Sequence, residues 1–492
     1  MFKELMQYCR QVLQRFEWLF LGSVLLLLAI LAGVIWVNSH PSWQTWQKNY
    51  YQSQVVQIES KLASTQNPVL RKDLEQQRES MSETRPEIKT LTLPNGNLER
   101  CKTCHLGIEE ISNSHPAETF GCVVCHGGNA LSLDQDQAHA AMYGAGHPGR
   151  LEVSQLSCGS RNLNSQCHSG HVRTEDNQVD LVPTSLMANK GGELSMIRYM
   201  HGLDIPPKIS VKLGEIAAQV LKPLNGQSLE RDLQQNCLEA CHQSNGKLPE
   251  QDSSAKGCES CHVLTNWDHT YQGQDVTISK SEAGHGLTHR LTTQIPYTQC
   301  NQCHNQGMPD LYTIQFKARP DLSRVKASSK PNQESENDRL RNVYQPGMVF
   351  TQCEVELDCI DCHTRQDVMG DGHLYASEYQ AVKIQCLDCH GTKKTTPSSR
   401  TVSSPDDLAF EEERVNTNFP TLTIGDQFLK TAKGEELPYI RREAGTWLLY
   451  SKVTGKTHSI PLVYGSACQQ DPERQTSNDC HKCHDVSGNL KK

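Results

Sequence analysis

Nine places in this chain set two thiols beside an imidazole. Seven share one strict spacing, Cys-x-x-Cys-His: Cys101, Cys104 and His105; Cys122, Cys125 and His126; Cys258, Cys261 and His262; Cys300, Cys303 and His304; Cys359, Cys362 and His363; Cys386, Cys389 and His390; Cys480, Cys483 and His484. Random placement of residues at this composition predicts roughly 0.04 such motifs, so the recurrence is a signal and not an accident. The chemistry that needs this pattern is covalent attachment of a c-type haem. The two thiols form thioethers with the porphyrin vinyl groups and the following histidine binds the iron. Zinc knuckles also use paired cysteines, but they do not require a histidine after every pair.

Two wider spacings read as variants. Cys237 and Cys241 precede His242 with three residues between the thiols, and Cys158 and Cys167 precede His168 with eight. A longer intervening loop can bulge outward and still present both sulfurs. For the second of these, a disulfide beside an unrelated histidine is the competing reading. The sequence thus predicts nine haems c, numbered here one to nine in chain order, with His105, His126, His168, His242, His262, His304, His363, His390 and His484 as proximal ligands. Cys9, Cys353 and Cys468 are left over. Cys9 precedes an apolar segment and reads as a cytoplasmic thiol, and Cys353 and Cys468 are open to pairing as a disulfide.

The second ligand of each iron decides what the haem can do. Two histidines close the site, methionine raises its potential, and an open position admits a small molecule. Twelve histidines lie outside the motifs. His40 is at the membrane boundary, His458 in an expected hairpin and His481 between the cysteines of its own motif. Nine candidates then remain for nine haems: His115, His139, His147, His171, His201, His269, His285, His289 and His373.

The elements that must position these groups are mostly small. Apolar residues make up 36% and aromatics 6% of the 492 residues, which is little material for a core of that length. Macrocycles, large and largely apolar, fill such a core. The expected fold is mainly α with extensive loops, a multihaem array behind one transmembrane helix, with a small β-hairpin region near 440–465. There Thr446 to Val453 and Thr457 to Tyr464 flank Thr454-Gly455-Lys456, and Pro461 puts the second segment at an edge.

Residues 18–37 are uncharged and long enough to span a bilayer, with tryptophans at or just past both ends. No cleavage site follows, and Lys3, Arg10 and Arg15 outweigh Glu4 and Glu17 before the span, so an uncleaved anchor is expected with its amino terminus inside. Pro41 opens a helix in which Val55, Ile58 and Leu62 share a face within a Gln/Glu/Lys-rich stretch to about Ser82. The organisation is therefore 1–17 cytoplasmic tail, 18–37 anchor, 38–95 helical stalk, 96–205 haems one to three, 206–317 haems four to six, 318–395 linker and haems seven and eight, and 396–492 cap region and haem nine. The formal charge of −8 argues against nucleic acid and fits a soluble partner with a basic face.

The stretch 85–147 carries a resemblance. Arg85-Pro86-Glu87-Ile88 precedes Asn97 to Gly107, and then come His115-Pro116, Phe120 to Gly128 and Ala138-His139. This is similar to the membrane-anchored multihaem c-type cytochromes of bacterial quinol-linked respiratory chains. The resemblance implies a single-helix anchor in the bacterial inner membrane, a periplasmic haem domain and electron transfer. It further implies His115 and His139 as second ligands of nearby haems. The partners expected are a quinol-oxidising membrane subunit or complex and a periplasmic redox partner. The rival expectation is a multihaem reductase or oxidase of a small nitrogen or sulfur oxyanion with one open haem. A third, compatible with the first, is a subunit docked in a larger respiratory complex.

Overall fold

The computed structural model describes residues 2–39, 41–159, 167–173, 176–185, 187–188, 208–210, 257–266, 268–304, 307–310, 315–318, 351–375, 378–410, 416 and 418–486. Site four (Cys237, Cys241, His242), His201 and nearly all of the expected 318–345 linker lie outside these residues.

The first helix, α1, runs Phe2–Ser39. Its apolar stretch Arg15–Gly33 has none of its surface covered by the rest of the chain. Nineteen residues at 1.5 Å rise span about 28 Å, close to a bilayer's hydrocarbon thickness. One helix is thus long and apolar enough to cross a membrane. Ser23, the hydroxyl within that stretch, donates to Leu19 O (2.8 Å), so its polar group is satisfied within the helix.

The stalk is two helices, not one. Helix α2 is Ser42–Ser64 and α3 is Pro68–Glu83. The break falls where Asn67 caps α3, accepting from Val69 N and Leu70 N, with Pro68 at the first helical position. Ile58, Leu62 and Leu74 are buried between the two helices, with Met81 packed on them. A strand pair follows, β1 (Leu91–Thr92) and β2 (Leu98–Glu99), turning at Asn95-Gly96 and delivering the chain into Cys101.

From 101 to 304 the described chain is short helical turns and loops with little apolar core. A loop at 268–294 folds back over the first motifs. Glu109 clasps it, accepting hydrogen bonds from Tyr271 Oη (2.8 Å), Gln274 N (2.8 Å) and His289 N (3.1 Å). Burial pushes the Glu109 carboxyl up, but these bonds outweigh it and hold the group below its ordinary range. Four further strands form two small ladders: β3 (Lys208–Ser210) pairs with β6 (His373–Tyr375), and β4 (Gly307–Asp310) with β5 (Gln315–Ala318).

The carboxyl-terminal region holds more sheet than expected. Strands β7 (Ser399–Thr401), β8 (Gln427–Lys430), β9 (Glu436–Glu443), β10 (Thr446–Tyr450) and β11 (Thr457–Ile460) form one antiparallel sheet in the order β11-β10-β9-β8-β7. The predicted hairpin is β10–β11, with Trp447 opposite Ile460, and β11 is an edge strand. The expectation of little sheet outside 440–465 is corrected by β7, β8 and the start of β9. Phe419, Leu429, Leu437, Tyr439, Ile440, Trp447, Leu449, Tyr450 and Ile460 make one core, and Leu357, Ile384 and Cys389 pack onto it. Arg441 is buried but satisfied: Nε donates to Pro438 O (2.8 Å), Nη1 to Thr421 O (3.2 Å) and Nη2 to Pro420 O.

Candidate haem sites

Each described strict motif winds into about one helical turn. Its histidine N–H reaches the carbonyl of the first cysteine: His105 to Cys101 (3.1 Å), His126 to Cys122 (3.0 Å), His262 to Cys258 (3.1 Å), His304 to Cys300 (2.9 Å), His363 to Cys359 (2.8 Å) and His484 to Cys480 (3.1 Å). In the motif Cys386–His390 the whole pattern lies inside one helix. The wide motif closes in the same way, since His168 N donates to Cys158 O (3.1 Å) despite the ten-residue separation. None of the eighteen described cysteines is in a disulfide, so Cys158 and Cys167 are not joined to each other. Cys353 and Cys468 are likewise unpaired. Cys353 hydrogen-bonds Thr351 Oγ1 (3.1 Å), and Cys468 accepts from Gln475 Nε2 (3.8 Å).

Three pairs of imidazoles face one another. The ring centroids of His105 and His139 are 6.0 Å apart, those of His168 and His115 6.1 Å, and those of His126 and His289 5.8 Å. Two imidazoles bound to one metal from opposite sides, with metal–nitrogen bonds of about 2 Å, put their centroids about 6 Å apart. The residues present therefore fit a metal held between each pair, and each pair joins a motif histidine to one of the nine predicted partners.

The outer hydrogen bonds fit the same use. Metal-bound histidines characteristically donate the other ring N–H to a carboxylate or carbonyl. His105 Nδ1 contacts Asp275 Oδ2 (2.8 Å) and Thr277 Oγ1 (2.9 Å). His262 Nδ1 faces Thr292 O (2.8 Å), His289 Nδ1 faces Glu109 O (3.1 Å), and His390 Nδ1 faces Pro461 O (2.7 Å). His168 Nδ1 is 3.3 Å from Gln178 Oε1, and His115 Nδ1 is 3.0 Å from Ser112 Oγ. In all of these Nε2 is the nitrogen left for a metal. Burial lowers His105, yet the hydrogen bond and charge of Asp275 prevail and raise it. His126 is pushed down to about 4 by burial and by neighbouring His289, so it is neutral at physiological pH, the form that binds metal.

The other predicted partners are placed less symmetrically. His147 Nδ1 bonds Glu259 Oε2 (3.0 Å), inside the motif of site five. His373 Nδ1 lies 3.3 Å from Asp371, and its ring is 6.2 Å from Tyr375. His285 N donates to His269 O (2.9 Å), and His269 has a left-handed backbone (φ 53°). His171 uses Nε2 itself, against Cys167 O (2.6 Å).

Several supporting residues escaped the sequence reading. Gln47 of α2 is fully buried, donating to Glu87 O (2.7 Å) and Thr103 O (2.8 Å) and accepting from Glu87 N (2.9 Å). Thr103 lies inside the first motif, so the helix after the membrane segment is locked to site one. Glu99 is buried and accepts from Cys122 N (2.6 Å). In sites seven and eight the residue before the second cysteine is aspartate. Asp361 accepts from Lys452 N (2.7 Å), and Asp388 accepts from Ala432 N (2.8 Å), clipping both motifs to the sheet. Burial is the main influence on both carboxyls and raises them. A shared Cys-x-Asp-Cys-His signal was readable in the sequence. The partners of Gln47, Glu99 and Asp275 are too distant along the chain to be read from it.

No protein-family model, curated protein or solved structure matches this chain.

Proposed function

We propose that the chain is a membrane-anchored, nine-haem c-type electron-transfer protein. It passes electrons between the quinone pool, or a membrane complex drawing on it, and periplasmic acceptors. The observation that carries this is the set of three imidazole pairs at metal-bridging separation, each built on a motif histidine. Bound haem c supplies a one-electron couple at the iron. The chain supplies spacing, a neutral ligand at His126 and the outer hydrogen bonds that orient the rings. Two imidazoles per iron leave no open position, which favours carriage of electrons over reduction of a small oxyanion at those sites.

The exposed apolar helix α1 and the docking of α2 on site one support entry of electrons at the membrane end. Haem is attached outside the bacterial cytoplasmic membrane, so the reading places one pass in the inner membrane and the haem domain in the periplasm. The likeness of residues 85–147 to quinol-linked multihaem cytochromes supports a quinol-oxidising membrane subunit as donor and a soluble periplasmic carrier as acceptor.

Pyridine haemochrome on the purified full-length protein should return nine haems per chain. EPR of the oxidised protein should show low-spin haems at the paired sites. His289→Ala should open site two, adding a high-spin ferric EPR signal and, after reduction, a carbon-monoxide-dependent change in the Soret absorbance. A high-spin signal in the unaltered protein that answers to nitrite or sulfite would overturn the carrier reading in favour of the reductase.

A further inference from the structure

Successive haem motifs bring their thiols together, and they do not follow chain order throughout. The Cys101 and Cys122 thiols and the Glu99 carboxylate form one cluster, their ligand atoms all within 4.8 Å of one another. The Cys125 thiol neighbours those of Cys158 and Cys167, and His115, just before site two, reaches His168 of site three (6.1 Å between ring centroids). Cys158 then neighbours Cys258 of site five. That joint is fixed by backbone as well: Cys258 N donates to Gly149 O (2.8 Å), and Gly149 N donates to Glu259 Oε1 (2.8 Å).

The pattern continues. The Cys261 thiol neighbours Cys300, and Gln299 Nε2 donates to Ser260 O (2.7 Å) across that joint. Cys300 neighbours Cys359, and Tyr297 N donates to Asp358 Oδ1 (2.9 Å) beside it. The Cys362 thiol neighbours Cys389, both motifs being held by the one sheet. Finally Cys386 neighbours Cys480, and Cys386 N donates to Ser477 Oγ (3.2 Å).

A thioether fixes a porphyrin edge at its sulfur, so neighbouring sulfurs put two macrocycle edges side by side. Sites two, five, seven and eight each turn one cysteine to one neighbour and the other cysteine to the next. This produces a line and not a cluster. We propose that eight of the nine haem sites stand in single file, in the order one, two, three, five, six, seven, eight, nine. The proposal rests on the reading of the motifs as haem sites. The file has two ends: site one, locked to α2 through Gln47, and site nine, whose Cys483 is exposed. It is continuous without site four.

The test is a cryo-electron microscopy map of the full-length holoprotein in detergent, after haemochrome counting. Nine haems, with iron five as the neighbour of iron three beyond iron two, is the expected result. Nine haems with iron four standing between three and five overturns the order alone. A chain that carries no haem overturns the underlying reading, and the order with it. A second measurement uses one variant, Cys258→Ala with Cys261→Ala, counted to carry eight haems. It cuts the file, so stopped-flow absorbance should show rapid reduction by a membrane-soluble quinol kept at sites one to three and lost at sites six to nine. Rapid reduction of all eight haems in that variant overturns the proposal.

Discussion

Sites one to three and five are built differently from sites seven to nine. The first group is held by single polar clasps reaching across long stretches of chain: Asp275 to His105, Glu109 to His289, Glu259 to His147. Few buried apolar side chains lie among them. The second group leans on a sheet with a core of nine buried residues, and two motif aspartates are clipped to that sheet. A region that buries its own apolar surface has a stable fold before any cofactor arrives. A region of loops joined by isolated hydrogen bonds cannot offset its conformational entropy that way and depends on the group it binds.

The largest effect should come from removing haem altogether. Chain made without haem attachment should keep a protease-resistant piece around 351–486 while 101–304 is digested, as read by mass spectrometry of limited proteolysis. Equal digestion of both would erase the distinction. Leu429→Ala, at a fully buried position in β8, should cost about 2–5 kcal/mol in denaturant unfolding of that resistant region. Gln47→Ala removes three hydrogen bonds of a buried side chain and should cost about 1–3 kcal/mol. Its spectroscopic effect should be confined to site one. A change spread to sites seven to nine would mean that the two regions are not separately built.

A smaller, pH-dependent effect belongs to the sheet. Asp407 pairs with Arg400 (2.6 Å), whose guanidinium holds the carboxyl far below its ordinary range. A depressed folded value means the contribution is present above the unfolded value, about 3.9, and is lost as pH falls through the folded one. Asp407→Asn should therefore lower stability at neutral pH, with the gap from the unaltered chain narrowing in acid. The smallest effect is expected of His171→Ala. With Nε2 already turned to the Cys167 carbonyl, its loss should leave the haem spectra unchanged.

The two regions also differ in how far the sequence announces them. Motif cysteines and histidines are local patterns, and their helical turns follow from that spacing. The β10–β11 hairpin was visible through Thr454-Gly455-Lys456. Its neighbour was not. Strand β9 reads Glu-Leu-Pro-Tyr-Ile-Arg-Arg-Glu, with no alternation because five successive residues are buried, and its turn places Ala444 at φ 46° where asparagine would have been the signal. In the stalk, Asn67-Pro68 is a cap followed by a helix start that a long polar periodicity concealed. The imidazole pairs join residues up to 163 positions apart, as His126 and His289 are, and no local pattern encodes that. The family resemblance implies His115 and His139 as second ligands, but not which iron each would serve. His115 turns to His168 and not to the nearer motifs.

The lock between Gln47 and Thr103 has a geometric consequence. Fourteen residues separate Gln47 from Gly33, the last of the apolar stretch, and with α1 ending at Ser39 and α2 beginning at Ser42 they reach at most about 27 Å. With α1 in a bilayer, the first site is leashed by that short span to a thin layer above the surface. A donor embedded in the same bilayer then meets it by searching a plane. A soluble acceptor meets the far end by searching a volume.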